Sequence, residues 1–334
     1  MRRSSSNPHI NIIGAGIAGT WQALLFAKAG HRVTIHEKSG PDLADSTSMQ
    51  AGGMLAPWCE QEVSEPVVTR LGVRSLDLWR QHVPDAAFNG SLVIAHPRDR
   101  ADFDRFARLT ENYERADGER VGEIEPALAG RFRDALFFPE EGHVEPRRIL
   151  PALHRQLAEN GVAIEFGSER EPEELDGIVI DCRGLAARED GEALRGVKGE
   201  TIVVETDEIA LSRPIRFIHP RWPLYLIPRA GNRFMIGATS IESEDDRVSV
   251  RSALELLSAA YAVHPAFAEA RIVDFGAGLR PAFADNLPRI TISGRRIAVN
   301  GLYRHGFLLA PALAELTLAY VTRGAIDNEV MQCN

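Results

Sequence analysis

The sequence predicts an α/β protein in which a parallel sheet flanked by helices is joined to an antiparallel sheet. Near the N-terminus an apolar segment leads into Gly14-Ala15-Gly16-Ile17-Ala18-Gly19, a helical stretch and a second short strand that ends at Glu37. Between Lys198 and Gly237 the pattern changes to short strands separated by turns. Alternating strands and helices are typical of parallel sheets, whereas strands joined by turns are typical of antiparallel ones.

The composition excludes several classes of function. The 334 residues are 44% hydrophobic and 25% charged, which predicts one large domain or two closely joined domains. The formal net charge of −9 gives no overall basic field, so we expect no nucleic acid as principal partner. Cys59, Cys182 and Cys333 lack a C-x-x-C pattern or histidine-rich neighbours. They predict neither a metal site nor a disulfide framework, and they favour a cytoplasmic location.

No membrane span is expected from the sequence. Residues 1–8 are polar and lead into a strand, not into the apolar core of a signal peptide. No run of 18 or more apolar residues occurs elsewhere, which is the length that a spanning helix needs.

The glycine motif with its flanking strands is a complete βαβ dinucleotide-binding pattern. Gly14 permits the tight strand-to-helix turn, Gly16 lets backbone N–H groups approach a pyrophosphate, and Gly19 lets helix and strand pack closely. Glu37 is placed to accept hydrogen bonds from the adenosine ribose, and a carboxylate there would repel a 2′-phosphate, which argues against NADP. The motif leaves FAD and NAD open.

Periodicity and breakers predict the remaining elements in order. The predicted helices cover residues 21–29, 64–81, 99–112, a segment from about 147 to 160, 249–263 and 308–323. The predicted strands cover residues 88–96, 135–138, 162–166, 177–181, 200–205, 215–219, 224–228, 233–236, 270–278 and 296–300.

Three glycine-rich segments are predicted to bring backbone close to a ligand. The first, Ala51-Gly52-Gly53-Met54-Leu55-Ala56-Pro57, follows a loop rich in Ser, Asp, Gly and Pro. The second, Asp181-Cys182-Arg183-Gly184, stands at the end of a core strand, where ligands gather in open α/β sheets. The third, residues 301–307, comes between a strand and an apolar helix. Cys182 fits a buried small residue better than a reactive thiol, because no base neighbours it in the sequence.

The order of motifs resembles the glycine oxidase (ThiO) branch of the D-amino-acid oxidase-like FAD oxidoreductases, and the match runs from residue 10 to about residue 323. The motifs that carry it are the glycine motif at 14–19, the glycine-rich segment at 51–57, Tyr225-Leu226-Ile227-Pro228-Arg229, Gly237-Ala238-Thr239, Gly278-Leu279-Arg280-Pro281 and Tyr303-Arg304-His305-Gly306-Phe307-Leu308-Leu309-Ala310-Pro311.

The resemblance implies a Rossmann-like FAD-binding domain and a substrate domain built on an antiparallel sheet. The FAD-binding domain is expected over residues 9–80, 140–197 and 280–330, and the substrate domain over residues 81–139 and 198–279. FAD is expected to be non-covalent, because residues 281–284 offer no cysteine of the kind that holds the flavin in the similar sarcosine oxidases.

The resemblance also implies roles for individual residues. Tyr225 matches a tyrosine that binds the substrate carboxylate, Arg280 the arginine that pairs with it, and Arg304 a nearby active-site arginine. The alternatives are a sheet aromatic for Tyr225, a salt bridge between domains for Arg280, and a surface or phosphate-binding residue for Arg304. The residues expected to bind FAD are Gly14, Gly16, Ile17, Ala18, Gly19, Glu37, Lys38, Ala51, Gly52, Gly53, Met54, Leu55, Cys182, Gly184, Arg280, Tyr303, Arg304, His305, Gly306, Phe307 and Leu308.

The implied reaction is oxidative deamination of glycine or a small amino acid by hydride transfer to the flavin, with dioxygen as acceptor and a role in thiamine synthesis. No catalytic base is required, although His305 and His219 are candidates. Ser240 stands where some relatives have methionine, which leaves substrate size open. The alternatives are an oxidase of sarcosine, another N-methyl amino acid or a small D-amino acid, and a dehydrogenase that passes electrons to a partner. A homo-oligomer is also left open.

Overall fold

The computed structural model describes residues 8–191, 193–218 and 224–333. The described helices are α1 (Ile17–Lys28), α2 (Pro66–His82), α3 (Arg100–Leu109), α4 (Gly118–Ile124), α5 (Pro146–Glu159), α6 (Val250–Val263) and α7 (Gly306–Arg323). The described strands are β1 (Ile10–Ile13), β2 (Val33–Glu37), β3 (Met54–Leu55), β4 (Ser91–Ala95), β5 (Glu114–Asp117), β6 (Asp134–Phe138), β7 (Gly142–His143), β8 (Ala163–Phe166), β9 (Ile178–Asp181), β10 (Arg195–Glu205), β11 (Ile215–Ile218), β12 (Leu224–Arg229), β13 (Arg233–Gly237), β14 (Arg271–Ala282), β15 (Arg289–Ser293), β16 (Arg296–Asn300) and β17 (Met331–Cys333).

A seven-stranded sheet contains the N-terminal βαβ unit. Its order is β17-β15-β16-β9-β1-β2-β8, and β1 pairs in parallel with β2 and β9. All four residues of β1 are buried, as expected for a central parallel strand. The carboxyl ends of β1, β2 and β9 therefore lie side by side, at the edge of the sheet where ligands bind in α/β proteins.

Helix α1 is buried over most of its length, because it packs against α5 and α7. From Ile17 to Phe26, every residue except Ala18 is buried. Trp21 meets Trp79 of α2 edge to face, with ring centroids 4.9 Å apart, and the Trp79 indole N–H donates to the Phe307 carbonyl at 2.9 Å. The start of α7 is thereby held against the first helices of the chain.

An eight-stranded sheet, in the order β14-β10-β13-β12-β11-β4-β6-β5, has its own core under α6. The sheet is antiparallel as predicted, except that β4 and β11 pair in parallel. These two strands are far apart in sequence and are not joined by a turn, so no local signal reveals their pairing. The longest ladder joins β10 to β14 and sets Val197 opposite Arg280.

The predicted helices are confirmed to within a few residues at their ends. The predicted strand over residues 270–278 is longer in the structure and continues to Ala282, so Arg280 lies within a paired strand. Helix α4 and strands β3, β5, β7, β15 and β17 were not predicted. Strand β5 is rich in charged residues, and β3, β7 and β17 are only two or three residues long. The last residue of the predicted strand 215–219 lies outside the described residues.

The strands of the two sheets come from different parts of the chain. Those of the seven-stranded sheet fall within residues 10–37, 163–181 and 289–333, and those of the eight-stranded sheet within residues 91–138 and 195–282. Strand β10 spans the domain boundary predicted at residue 198, and strand β14 spans the one predicted at residue 280. The domain division itself stays a prediction.

One segment of the described chain, Tyr303–Arg323, is long and apolar enough by length and composition to cross a membrane. In the fold, 61% of its most apolar window is buried, and α7 packs against α1 and α2. Its apolar character is therefore that of a core helix.

Substitution of Gly19 by alanine should destabilise the fold. A Cβ at Gly19 would lie 1.9 Å from the Gly14 carbonyl oxygen, whereas one at Gly16 would meet only the movable hydroxyls of Ser48 and Ser46, at 3.1 and 3.4 Å. We expect Gly19→Ala to lose on the order of 1–3 kcal/mol of stability, as overpacked cores do. Thermal unfolding of the apoprotein followed by circular dichroism measures this, with Gly16→Ala as the matched control that keeps the wild-type Tm. Equal melting of the two variants would contradict the role given to Gly19.

Candidate active site

A cavity of about 690 Å³ lies between the two sheets. Residues of the glycine motif and Glu37 line it from the parallel sheet, and Tyr225 and Arg280 line it from the other sheet. The cavity therefore reaches both the residues expected to bind FAD and the residues expected to bind the substrate. Its two parts differ in chemistry, because one offers backbone N–H and hydroxyl groups and the other offers buried charges.

Glu37 organises the turn after β1. Its Oε2 accepts a hydrogen bond from the Ala15 backbone N–H at 2.7 Å, and its Oε1 accepts from the Ser39 N–H at 2.9 Å. Gly14 has a φ of +100°, and a Cβ there would lie 2.8 Å from the Cys182 carbonyl oxygen. The conformation of this turn therefore requires glycine, as the motif predicts. Contact of Glu37 with a ribose stays a prediction.

Two serines that sequence reasoning missed stand at the N-terminus of α1. The Ser48 Oγ accepts from the Ile17 N–H at 3.1 Å, and the Ser46 Oγ accepts from the Ser48 N–H at 3.3 Å. Both residues line the cavity. With the positive end of the helix dipole they form a site suited to a pyrophosphate. The available signal was the hydroxyl-rich run at residues 46–48, which composition alone classified as a loop.

The small-residue loop at 51–57 is held in place by Arg229. Its Nη1 donates to the Val144 carbonyl at 3.0 Å and its Nη2 donates to the Gly52 carbonyl at 2.6 Å. Burial lowers the pKa of Arg229 to about 10. Gly53 has a φ of +70°, which lets the chain turn sharply into β3. The two hydrogen bonds from Arg229 hold the loop in the position in which its backbone faces the cavity.

Glu60 is the centre of a buried charge network that the sequence did not reveal. Its Oε2 accepts from Arg304 Nη2 at 2.6 Å, and its Oε1 accepts from the Tyr225 hydroxyl at 3.2 Å. Arg216 is fully buried behind this pair, and its Nη1 donates to the Tyr225 hydroxyl at 3.0 Å. Arg216 Nη2 in turn donates to Glu62 at 3.1 Å. Tyr225 therefore lies in the cavity wall with its hydroxyl already bound on two sides.

The network keeps Glu60 ionised. Burial alone would raise the pKa of Glu60, but Arg304, followed by His305 and Arg216, outweighs that effect and lowers it to about 2. Burial lowers the pKa of His305 to about 4, so the imidazole is neutral near pH 7. The His305 Nε2 lies 3.3 Å from the Ser64 hydroxyl.

Arg280 projects from β14 and lines the cavity. Its Nη1 donates to the Thr239 carbonyl at 3.0 Å, and its guanidinium passes so close to Gly199 that a Cβ there would lie 2.0 Å from Nη2. Within the described residues, no carboxylate forms an ion pair with Arg280. Burial lowers the pKa of Arg280. A half-buried guanidinium without a carboxylate partner is chemically suited to bind an anion.

Tyr303 and Ser240 meet across the cavity, with their hydroxyl oxygens 3.0 Å apart. Both line it, and Ser240 is exposed. The side chain that takes the place of methionine in some relatives therefore adds a polar group at this point of the wall.

The structure brings most of the sequence-predicted site residues to one cavity. Those that line it are Gly14, Gly16, Ile17, Ala18, Glu37, Lys38, Ala51, Gly52, Gly53, Met54, Cys182, Gly184, Tyr225, Arg280, Tyr303, Arg304, Gly306 and Phe307. Four predicted residues are not part of the lining: Gly19, Leu55, His305 and Leu308. Gly19 packs against the Gly14 backbone, and Leu55 and Leu308 are buried in the core. His305 is buried with its Nδ1 3.7 Å from Glu60 Oε2. His219 lies outside the described residues. Direct contact of each residue with cofactor or substrate stays a prediction.

Comparison with known proteins identifies the class. Residues 9–320 match the DAO family, FAD dependent oxidoreductase, and the chain belongs to this family. It is 49% identical over 307 residues to a candidate ThiO oxidoreductase of thiamine biosynthesis from Rhizobium etli, which covers 91% of this chain and 94% of the relative. It is 28% identical over 357 residues to a glycine oxidase from Geobacillus kaustophilus, with 94% and 93% covered.

The fold agrees with that assignment. A crystal structure of glycine oxidase from Geobacillus kaustophilus superposes with a TM-score of 0.80 at 26% identity, covering 96% of each chain. The predicted fold class, the glycine oxidase resemblance and the dependence on FAD are confirmed.

The residues of the cavity fit FAD. Gly14 and Gly16 line the cavity at the N-terminus of α1, and Ser46 and Ser48 add hydroxyl groups there. Glu37 offers a carboxylate at the end of β2, where the adenosine ribose is expected. Gly52 and Gly53 line the same cavity, and the loop that contains them packs so closely that a Cβ would lie 2.9 Å from the Ile227 side chain or 2.3 Å from the Val144 carbonyl oxygen.

One buried carboxyl group near the site, Glu141, makes the stability of the fold depend on pH. Glu141 is fully buried; its Oε1 accepts from the Cys59 N–H at 2.8 Å and its Oε2 accepts from the Ser91 hydroxyl. Burial raises the pKa of Glu141 to about 7 from its model-compound value of 4.5. The folded protein therefore retains this proton at a pH where the unfolded chain has lost it.

The contribution of Glu141 to stability should fall as pH rises from about 4.5 to 7, because over that interval the folded state keeps a proton on this carboxyl group that the unfolded state releases. Glu141→Gln removes the titrating group while keeping an acceptor for Cys59, so wild type should lose stability relative to this variant over the same pH interval. Urea unfolding at pH 5, 6, 7 and 8 measures it, with Glu140→Gln on the exposed neighbour as control. Parallel curves for wild type and Glu141→Gln would contradict the assignment.

Proposed function

We propose that this chain oxidises glycine or another small amino acid. Glycine, dioxygen and water would give glyoxylate, ammonia and hydrogen peroxide, with an imine as the first product. The observation that carries the proposal is Arg280, a half-buried cation in the cavity without a carboxylate partner among the described residues. A substrate carboxylate would supply that partner, and a planar guanidinium can hold it bidentately.

The surrounding groups would orient the substrate. Tyr303 and Arg304 stand on the turn that precedes α7, next to Arg280 in the cavity. Tyr225 is fixed by Arg216 and Glu60, so its ring forms a rigid part of the wall. Rigid walls that hold the reacting carbon in one position lower the entropic part of the barrier. FAD, when bound, supplies the acceptor for a hydride and returns the electrons to dioxygen.

No general base is assigned to this reaction. His305 is not part of the cavity lining, and its ring is buried against Glu60 and Ser64. A substrate amine that enters without its extra proton can support loss of the hydride with its own lone pair. Orientation and electrostatics are then the protein's contribution.

The relatives support a role in thiamine synthesis. The Rhizobium etli protein is named for that pathway, and a Bifunctional protein ThiO/ThiG from Synechocystis is 26% identical over 91% of this chain and 50% of its own length. We propose that the imine serves formation of the thiazole ring. The free thiols of Cys59 and Cys333 agree with a reducing cytoplasm as its location, and FAD is proposed to be non-covalent.

Sarcosine or a small D-amino acid is the second candidate substrate. The exposed hydroxyl of Ser240 beside Tyr303 favours it, because serine occupies less space than methionine at this position. Hydrogen peroxide release from glycine, sarcosine, D-alanine and D-proline would rank the two candidates.

Arg280→Ala should raise the KM for glycine at least about 100-fold, because removal of one partner from a buried charged pair costs on the order of 3 kcal/mol. Bound FAD should be retained, since the expected contacts of the adenosine and pyrophosphate lie elsewhere. Steady-state peroxide release and the flavin spectrum measure the two effects.

The control is Arg289→Ala on β15, a partly exposed arginine that pairs with Asp285 and should keep the wild-type KM. Loss of the flavin spectrum in Arg280→Ala, or an unchanged KM, would show that Arg280 is a structural residue.

A further inference from the structure

We infer that Glu60 is a specificity-determining residue that restricts the site to amines with a single carboxylate. The inference rests on the proposed function and adds a substrate class to it. It follows from a count of the charged groups around the cavity and from the position of Glu60 among them.

Apart from Arg280, the arginines of the network are matched by carboxylates. Glu60 lies 2.6 Å from Arg304 and 3.6 Å from Arg216. Glu62 lies 3.1 Å from Arg216 and 3.2 Å from the exposed Arg105. Arg280 forms no ion pair with a described carboxylate. The site therefore holds one uncompensated positive charge, which matches one carboxylate of a substrate.

Arg304 would be a second carboxylate-binding group if Glu60 did not neutralise it. It lines the cavity together with Arg280. Its Nε is buried and has no hydrogen-bond partner among the described residues, so part of its donor capacity is unused. Glu60 occupies the Nη2 side and places a negative charge in the cavity wall. A second substrate carboxylate that approached Arg304 would meet this charge at close range and be repelled.

The other polar groups near the network add no positive charge that could bind a second substrate carboxylate. His305, whose Nδ1 lies 3.7 Å from Glu60 Oε2, is neutral near pH 7 because burial lowers its pKa to about 4. The Tyr225 hydroxyl directs its proton to Glu60 and offers none to a substrate carboxylate in this arrangement. Asp246, which lines the cavity from an exposed position, only adds to the negative charge.

Acetate, malonate and malonamate test the inference on the wild-type holoenzyme at pH 8, where malonate carries two charges and malonamate carries one. Perturbation of the flavin spectrum gives each dissociation constant without turnover. We expect malonamate to bind at least tenfold more tightly than malonate. Equal affinities would overturn the role of Glu60, whether or not any variant can be made.

Glu60→Gln keeps a hydrogen-bond acceptor for Arg304 and removes the charge. We expect the affinity for malonate, relative to acetate, to rise at least tenfold, and kcat/KM for iminodiacetate relative to glycine to rise in the same direction. The matched control is Glu62→Gln, which changes the net charge equally but alters the partner of Arg216, a residue outside the cavity lining. An equal rise in the control, or no rise in Glu60→Gln, would overturn the inference.

The two proposals fail in different ways. If wild type oxidises no amino acid but prefers malonamate to malonate, and Glu60→Gln removes that preference, the proposed function is wrong and the charge selection by Glu60 stands. If glycine is oxidised and the two ligands bind equally, the proposed function stands and the inference is wrong.

Discussion

The substrate end of the cavity depends on one constraint: charged groups that are removed from water must be neutralised. A buried guanidinium or carboxylate is tolerated only when an opposite charge or several hydrogen bonds offset its lost hydration. Glu60 meets this requirement for Arg304, and Glu62 meets it for Arg216. The turn at Cys59–Glu62, strand β11 and the turn before α7 must therefore come together as one unit. These two ion pairs join the parallel and antiparallel sheets beside the cavity, and one of them, Glu60 with Arg304, lines its wall.

The parts of the fold encoded over short distances were predictable from the sequence. The turn at Gly14 needs a positive φ and the packing at Gly19 needs the absence of a side chain, so two glycines at fixed spacing identify the unit. Arg280 was found because a motif surrounds it, and the structure adds that it lies in a paired strand against Gly199. In both cases a local backbone requirement leaves a visible trace in residue type.

The residues that were missed depend on contacts between distant parts of the chain. Glu60 meets Arg304 across 244 positions and Tyr225 across 165, and neither spacing follows from helix or strand periodicity. Arg216 sits in the apolar strand β11, where an isolated arginine resembles an ordinary outward-facing residue until the neighbouring sheet edge and turn are known. Ser46 and Ser48 look like loop residues, because their function comes from the helix terminus that they face.

The packing of α1 against α7 also bears on the order in which the chain acquires structure during synthesis. Gln22 of α1 donates to Thr317 of α7 across 295 positions at 3.2 Å. A ribosome therefore releases an almost wholly apolar N-terminal helix long before its covering helix exists. The nucleotide-binding unit must wait for nearly all the translated chain, with its apolar surface open to chaperones in the interval. Completion of the core around α1 is consequently a late event in synthesis, although its most recognisable motif is made first.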